Sequence, residues 1–254
     1  MTYPGGKNGS GVYQKIINQM PPHQAYIEGF LGHGAIMHHK RPAKINIGID
    51  KCPDIIAHWE TFGHHPDIEV VHGDALDLIP RLKTSSKRRA TLIYLDPPYL
   101  METRATQREI YNCEMTDDDH RRLLEIISDL PCMVMISGYY SEMYAQALGG
   151  WRSITYQAQT RGGRTATEWL WMNYPEPLRL HDYSFLGDNY RERERIKRKA
   201  DRWVNGKNGL SSLPILERYA ILNAIDQAFP FDDNAIYNDV GSTTVTLGGV
   251  GHHR

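Results

Sequence analysis

Seven apolar runs of strand length, each separated from the next by a stretch with helical spacing or a turn, constrain this chain more than any other feature. The runs are Ala25–Phe30, Ile45–Ile49, Ile68–His72, Thr91–Leu95, Cys132–Ser137, Arg152–Gln157 and Thr167–Tyr174. Helix-like stretches lie at Gly9–Met20, Ala35–Arg41, Pro53–Phe62, Ala75–Leu82, Asp117–Leu130 and Tyr140–Leu148. Such alternation predicts an α/β fold, a mostly parallel sheet covered by helices on both faces. Ile45-Asn-Ile-Gly-Ile49 and Thr91-Leu-Ile-Tyr-Leu95 are nearly continuous apolar runs, as strands buried on both sides require. Thr167-Glu-Trp-Leu-Trp-Met-Asn-Tyr174 alternates, which suggests an edge strand.

After Tyr174 the texture changes. Pro175 and Pro177 break the pattern, and two amphipathic stretches follow. Asn189 and Glu192 have capping-box spacing, and behind them Ile196, Ala200, Trp203 and Val204 share one face while Arg191, Arg195, Arg198 and Arg202 share another. A second stretch from Pro214 through Ile225 has the apolar residues to pack against the first. The expected division is an α/β domain over 1–176, a helical extension over 177–230 and an irregular tail over 231–254.

Composition removes several function classes. No apolar run approaches the ~18 to 20 residues that span a bilayer, so no membrane partner is expected. Met1-Thr-Tyr-Pro-Gly-Gly-Lys7 lacks the basic and apolar regions of a secretory leader, which points to the cytoplasm. Cys52, Cys113 and Cys132 form no C-x-x-C pair, so neither a disulfide framework nor a metal centre is indicated. With 29 Lys and Arg against 30 Asp and Glu there is no global basic signature, but two stretches without acids are locally positive. One, Leu78–Leu95, holds Arg81, Lys83, Lys87, Arg88 and Arg89; the other, Met143–Thr167, holds Arg152, Arg161 and Arg164. Each is either a solvated loop or a phosphate contact.

Open α/β sheets bind ligands at the carboxyl ends of their strands. The first strand ends in Glu28-Gly-Phe-Leu-Gly-His-Gly34, a glycine-rich turn into a helix with G-x-x-G-x-G spacing, which disfavours the G-x-G-x-x-G of nicotinamide dehydrogenases. The second ends at Asp50, an acid placed to accept hydrogen bonds from ribose hydroxyls, and the third at Gly73-Asp74, where the carboxylate either faces the same rim or caps the next helix. The fourth ends in Asp96-Pro-Pro-Tyr99. Two prolines remove two backbone donors and leave rigid carbonyl acceptors beside the Asp96 carboxylate, and Tyr99 adds an aromatic face. Two acceptors holding the hydrogens of an aromatic amine draw its nitrogen toward tetrahedral geometry and free its lone pair.

Taken in order, Tyr3-Pro-Gly-Gly-Lys7, the Glu28–Gly34 turn, Ile49-Asp50, Gly73-Asp74 and Asp96-Pro-Pro-Tyr99 resemble the Dam-like, D-P-P-Y adenine-specific DNA methyltransferases over about residues 1–174. The resemblance implies a Rossmann-like seven-stranded sheet and S-adenosyl-L-methionine as cofactor. It also implies that Tyr3, Lys7 and Glu28 contact that cofactor, that Phe30, Gly32 and Gly34 shape its methionine pocket, that Asp50 takes the ribose and that Asp74 faces its adenine. Asp96 would border the cofactor and, with the Pro97 carbonyl, hold the target amine, Pro98 would stiffen the turn, and Tyr99 would stack on an adenine flipped from duplex DNA. A modification system, with a restriction endonuclease as partner, is the implied setting.

The chain departs from that group where target recognition usually lies. Only 21 residues separate Asp74 from Asp96 (96 − 74 − 1), enough for one helix and one strand. Base reading is therefore expected in Leu100–Glu114, with Arg104, Gln107, Arg108, Tyr111 and Asn112, and phosphate contacts at Lys87, Arg88, Arg161 and Arg164. Two other functions fit the same residues: an RNA adenine methyltransferase that reads shape, and a non-catalytic subunit that binds cofactor or DNA.

Overall fold

The computed structural model describes residues 6–9, 11–62, 66–84, 91–104, 113–159, 165–230 and 245–247. Its strands are β1 (Ala25–Gly29), β2 (Ile45–Asp50), β3 (Glu69–His72), β4 (Leu82–Thr84), β5 (Thr91–Leu95), β6 (Met133–Gly138), β7 (Arg152–Gln159), β8 (Thr165–Met172) and β9 (Val245–Leu247). Its helices are α1 (Val12–Ile17), α2 (Ala35–His39), α3 (Pro53–Phe62), α4 (Ala75–Leu78), α5 (Asp117–Ser128), α6 (Glu142–Ala147), α7 (Tyr190–Asn205) and α8 (Ile215–Ala228). Each of the seven expected strands is present.

They form one sheet in the order β3-β2-β1-β5-β6-β8-β7. The first five run parallel, and β8 lies antiparallel to both β6 and β7. This is the Rossmann-like α/β sheet. Ile27, Ile47, Ile93, Val134 and Ile136 share one core with Leu76, Leu123, Ile127 and Tyr144 from α4, α5 and α6. Strand alternation sends Tyr26, Glu28, Leu92, Tyr94, Met135 and Ser137 to the opposite face. They are buried there too, as are Val12, Ile16 and Ile17 of α1. Burial on both faces is why the central strands read as continuous apolar runs.

Two expectations change. The alternating Thr167–Tyr174 run is not an edge, because the β7–β8 hairpin folds back and inserts β8 between β6 and β7. The edge strand is β7, whose residues alternate in burial. The tail is not wholly irregular either, since β9 pairs antiparallel with β4, Leu82 opposite Leu247.

The chain divides into two compact units, Met1–Asp182 with Val240–Arg254, and Tyr183–Asp239. In the second unit Asn189 caps α7 by accepting the Glu192 N–H at 3.0 Å, while the Glu192 carboxylate accepts from the N–H of Asp188, one residue before the cap. Glu192 and Glu194 lie 3.5 and 3.9 Å from Arg195 and Arg198, so part of the basic face is paired within its own helix. Neither α7 nor α8 buries a residue, and Trp203 and Leu216 are exposed. No described helix is long and apolar enough to cross a membrane.

Candidate active site

The turn after β1 carries three left-handed residues in five: Phe30, Gly32 and Gly34 have φ of 60°, 51° and 61°. Glycine adopts that region freely, but for Phe30 it costs on the order of 1–2 kcal/mol. The turn is held from outside. Asp50, the last residue of β2, accepts the Gly32 N–H on Oδ2 and the Cys52 N–H on Oδ1, both at 2.8 Å. Trp59 of α3 donates from Nε1 to the Gly32 carbonyl at 2.8 Å. The Asp50 carboxylate thus organises the glycine turn while each oxygen keeps a further lone pair. Burial pushes its pKa up, and the two N–H donors oppose that shift.

Gly34 has no alternative. A Cβ there would sit 2.3 Å from Trp59, in a backbone region that side chains rarely adopt. Gly34→Ala is expected to destabilise the fold by about 2–4 kcal/mol. Urea unfolding followed by tryptophan emission measures this, and an unchanged midpoint would show that Trp59 yields freely.

Asp74 follows the competing expectation. It caps α4, accepting the Leu76 N–H on Oδ1 at 2.9 Å, while Oδ2 lies 3.6 Å from Lys51 Nζ.

Asp96–Tyr99 lies at the carboxyl end of β5, and three elements converge on it. Lys7, ahead of α1, is buried with Nζ 2.8 Å from Asp96 Oδ1 and 2.7 Å from the Tyr99 hydroxyl. Ser137 of β6 donates to Asp96 Oδ1 at 2.9 Å, with the Tyr94 hydroxyl 2.8 Å behind it. Glu168 of β8 accepts from Tyr99 at 2.9 Å and from Tyr156 at 3.0 Å, and its Oε2 is 3.4 Å from Lys7 Nζ. Burial pushes Asp96 up, Lys7 pulls it back and Glu168 pushes it up again. One ammonium therefore faces two carboxylates in a buried pocket.

Several of the expected contact residues are engaged by other groups of the chain. Lys7 is engaged by the Asp96–Tyr99 turn. Tyr99 is 6% exposed, its hydroxyl turned inward and its ring met edge-on by Tyr139 at 4.7 Å, so the ring is not an open platform. Glu28 is buried on β1 and accepts from the Tyr26 hydroxyl at 2.9 Å. Burial pushes its carboxyl to about 8, making it a neutral interior acid at pH 7. Arg104 does not face solvent for nucleic acid: its side chain is 5% exposed, donates to the Tyr99 carbonyl at 2.7 Å and grips Glu114 with both terminal nitrogens, at 2.8 and 2.6 Å. Tyr3, Lys87, Arg88, Gln107, Arg108, Tyr111, Asn112, Arg161 and Arg164 lie outside the described residues.

Glu168 and Tyr156 were not expected from the sequence. Their signal was the periodicity of the hairpin, which puts Glu168 on the same parity of β8 as the apolar Leu170 and Met172.

No protein-family model matches the chain, and no curated protein matches it. Solved structures with a similar course include a 23S rRNA methyltransferase (ErmE), 13% identical over 90% of both chains with a TM-score of 0.42. A precorrin-6y C5,15-methyltransferase from Geobacter metallireducens is 5% identical, over 68% of this chain and 93% of that one, with a TM-score of 0.42. A precorrin 8W decarboxylase from Methanobacterium thermoautotrophicum is 12% identical, over 68% and 94%, also at 0.42. Likeness at this level does not bear on substrate or chemistry.

Proposed function

We propose that the chain transfers the methyl group of S-adenosyl-L-methionine to the exocyclic amine of adenine in nucleic acid, with duplex DNA the first substrate to test. The observation that supports this most is the buried Lys7–Asp96–Glu168 cluster joined to the Pro-Pro turn beside the strained glycine turn. Its residues fit a cationic cofactor: a pocket with one ammonium and two carboxylates has an excess negative charge that complements a sulfonium. The Phe30–Gly34 turn would take the methionine part and Asp50 the ribose. When bound, the cofactor supplies an electrophilic methyl group.

The chain's own residues do the rest. Asp96 and the Pro97 carbonyl accept the two amine hydrogens and orient the nitrogen for in-line attack. Ser137 and Lys7 fix Asp96 in turn, and the tie from Arg104 to the Tyr99 carbonyl sets the course of the backbone after the turn. No covalent intermediate on the protein is required.

RNA is the second reading, because the 21 residues between Asp74 and Asp96 leave no room for a base-reading domain. The deciding experiment supplies labelled cofactor with unmethylated duplex DNA and, separately, unmodified total RNA. Label in 6-methyladenine of DNA supports the first reading, and label in RNA alone supports the second. Cofactor bound without transfer to either points to a missing partner or to a non-catalytic subunit.

A further inference from the structure

Among the described residues, Glu168 is a buried carboxylate of the site that the reaction as described does not use. Its Oε2 receives hydroxyl hydrogens from Tyr99 and Tyr156 and stands 3.4 Å from the Lys7 ammonium, which also contacts Asp96 at 2.8 Å. We propose that Glu168 is the second counter-ion of Lys7, a positioning residue that keeps the ammonium compensated while Asp96 accepts the proton released from the methylated amine. This rests on the methyl-transfer function proposed above.

The charges explain why two carboxylates are present. The other ionisable groups facing Asp96 are neutral at pH 7. Glu28 is held protonated by burial, with its carboxyl near 8. Burial likewise pushes up the pKa of Tyr26, Tyr94, Tyr99 and Tyr156. Tyr139 and Tyr144 behave the same way. Among the described residues that leaves Lys7 against Asp96 and Glu168, which in their ordinary ionised forms carry a formal charge of −1 and would balance a cationic cofactor at +1. In the transfer a nitrogen–carbon bond forms, the carbon–sulfur bond breaks, its electron pair stays on sulfur, and one amine proton passes to the Asp96 carboxylate. The sulfur is then neutral and Asp96 is neutral, so Lys7 against Glu168 leaves the pocket at zero throughout. With Asp96 alone, Lys7 would compete with the proton for the same carboxylate, and protonation of Asp96 would take a negative charge from beside the buried ammonium, which is unfavourable.

The test uses the full chain with Glu168→Gln, which still accepts from Tyr99 and Tyr156 but carries no charge, and with Tyr156→Phe, which removes a hydrogen bond and keeps the charge. Two readouts are taken. The first is the pH dependence of single-turnover transfer. In Glu168→Gln the acid limb is expected to move down by roughly one pH unit, because Asp96 loses the like charge that raises its pKa, and the plateau rate to fall roughly tenfold as Asp96 becomes a weaker base. In Tyr156→Phe the limb stays in place. The second needs no turnover: equilibrium binding of cofactor and of its demethylated product. Their affinity ratio is expected to fall roughly tenfold in Glu168→Gln, since only the cofactor carries the positive sulfur.

An unmoved acid limb and an unchanged ratio would overturn the proposal and leave Glu168 as a hydrogen-bond acceptor for two tyrosines. If the wild type itself binds no cofactor, the methyl-transfer function fails and the inference falls with it. If the wild type binds cofactor and transfers methyl while both readouts are unchanged in Glu168→Gln, the function stands and the inference alone is lost.

Discussion

Asp96→Ala is expected to lower methyl transfer by at least about a thousandfold at saturating cofactor, while cofactor affinity falls roughly tenfold with the loss of one negative charge from the pocket. Two losses combine. The amine loses its charged hydrogen-bond acceptor, of a kind whose removal costs about 10²–10³ in rate, and it loses the base that takes its proton, which contributes about 10²–10⁴. The variant should fold. Deleting one partner of a buried ion pair is damaging when it leaves an uncompensated charge, but Lys7 keeps Glu168 at 3.4 Å and the Tyr99 hydroxyl at 2.7 Å. Asp96→Asn controls for the cavity, since the amide keeps the bond from Ser137. Single-turnover transfer of labelled methyl, read beside equilibrium dialysis with cofactor, measures both terms. Transfer at the wild-type rate with cofactor bound would remove Asp96 from the chemistry.

Much of this site could be reached from the sequence for a reason specific to parallel sheets. When strands run the same way, their carboxyl ends share one edge, so the residues after β1, β2, β3 and β5 can be gathered without knowing strand order. Asp50 and Asp96 were found that way. Glu168 was not, because β8 is antiparallel and brings its amino-terminal half to that edge: Gly138 at the end of β6 pairs with Trp169, one residue beyond Glu168. The inserted hairpin also made an interior strand read as an edge.

Arg104 shows a different limit. A scan for local charge counts cations without their partners, and Glu114, ten residues on, could not be paired with Arg104 while the segment between had no assigned path. Glu28 is intermediate. Tyr26 and Glu28 are two apart on a central strand and must share a face, so a carboxyl beneath a tyrosine was legible, but the degree of its burial was not. Asp74 sat where capping and ligand contact demand the same residue type, and only the 2.9 Å bond from the Leu76 N–H separates them.

Glu28→Gln is expected to abolish the pH dependence that a buried acid imposes on stability. The Glu28 carboxyl moves from an ordinary value near 4.5 to about 8 in the fold, with burial the largest cause and the Tyr26 hydroxyl and Lys40 opposing it. A raised folded pKa means that the folded state holds the proton more tightly than the unfolded chain. The contribution is fully present below about pH 4.5 and is lost progressively as pH rises toward 8. Glutamine occupies the same space, still accepts from Tyr26 and never ionises. Relative to wild type, the variant should gain on the order of 2–4 kcal/mol between pH 5 and pH 8, with the difference levelling above that. Lys40, pushed down to about 7 by burial, adds a slope of opposite sign from about pH 7 upward. That slope belongs to both proteins and largely cancels in the difference. Urea unfolding of the pair at several pH values gives the curve, and a difference independent of pH would mean that Glu28 is ionised in the fold and paired with Lys40. Cofactor affinity of the same variant decides the remaining question of place: a loss beyond about tenfold would put Glu28 in contact with the ligand, whereas an unchanged value fits a neutral acid whose work is to keep a third negative charge away from Asp96.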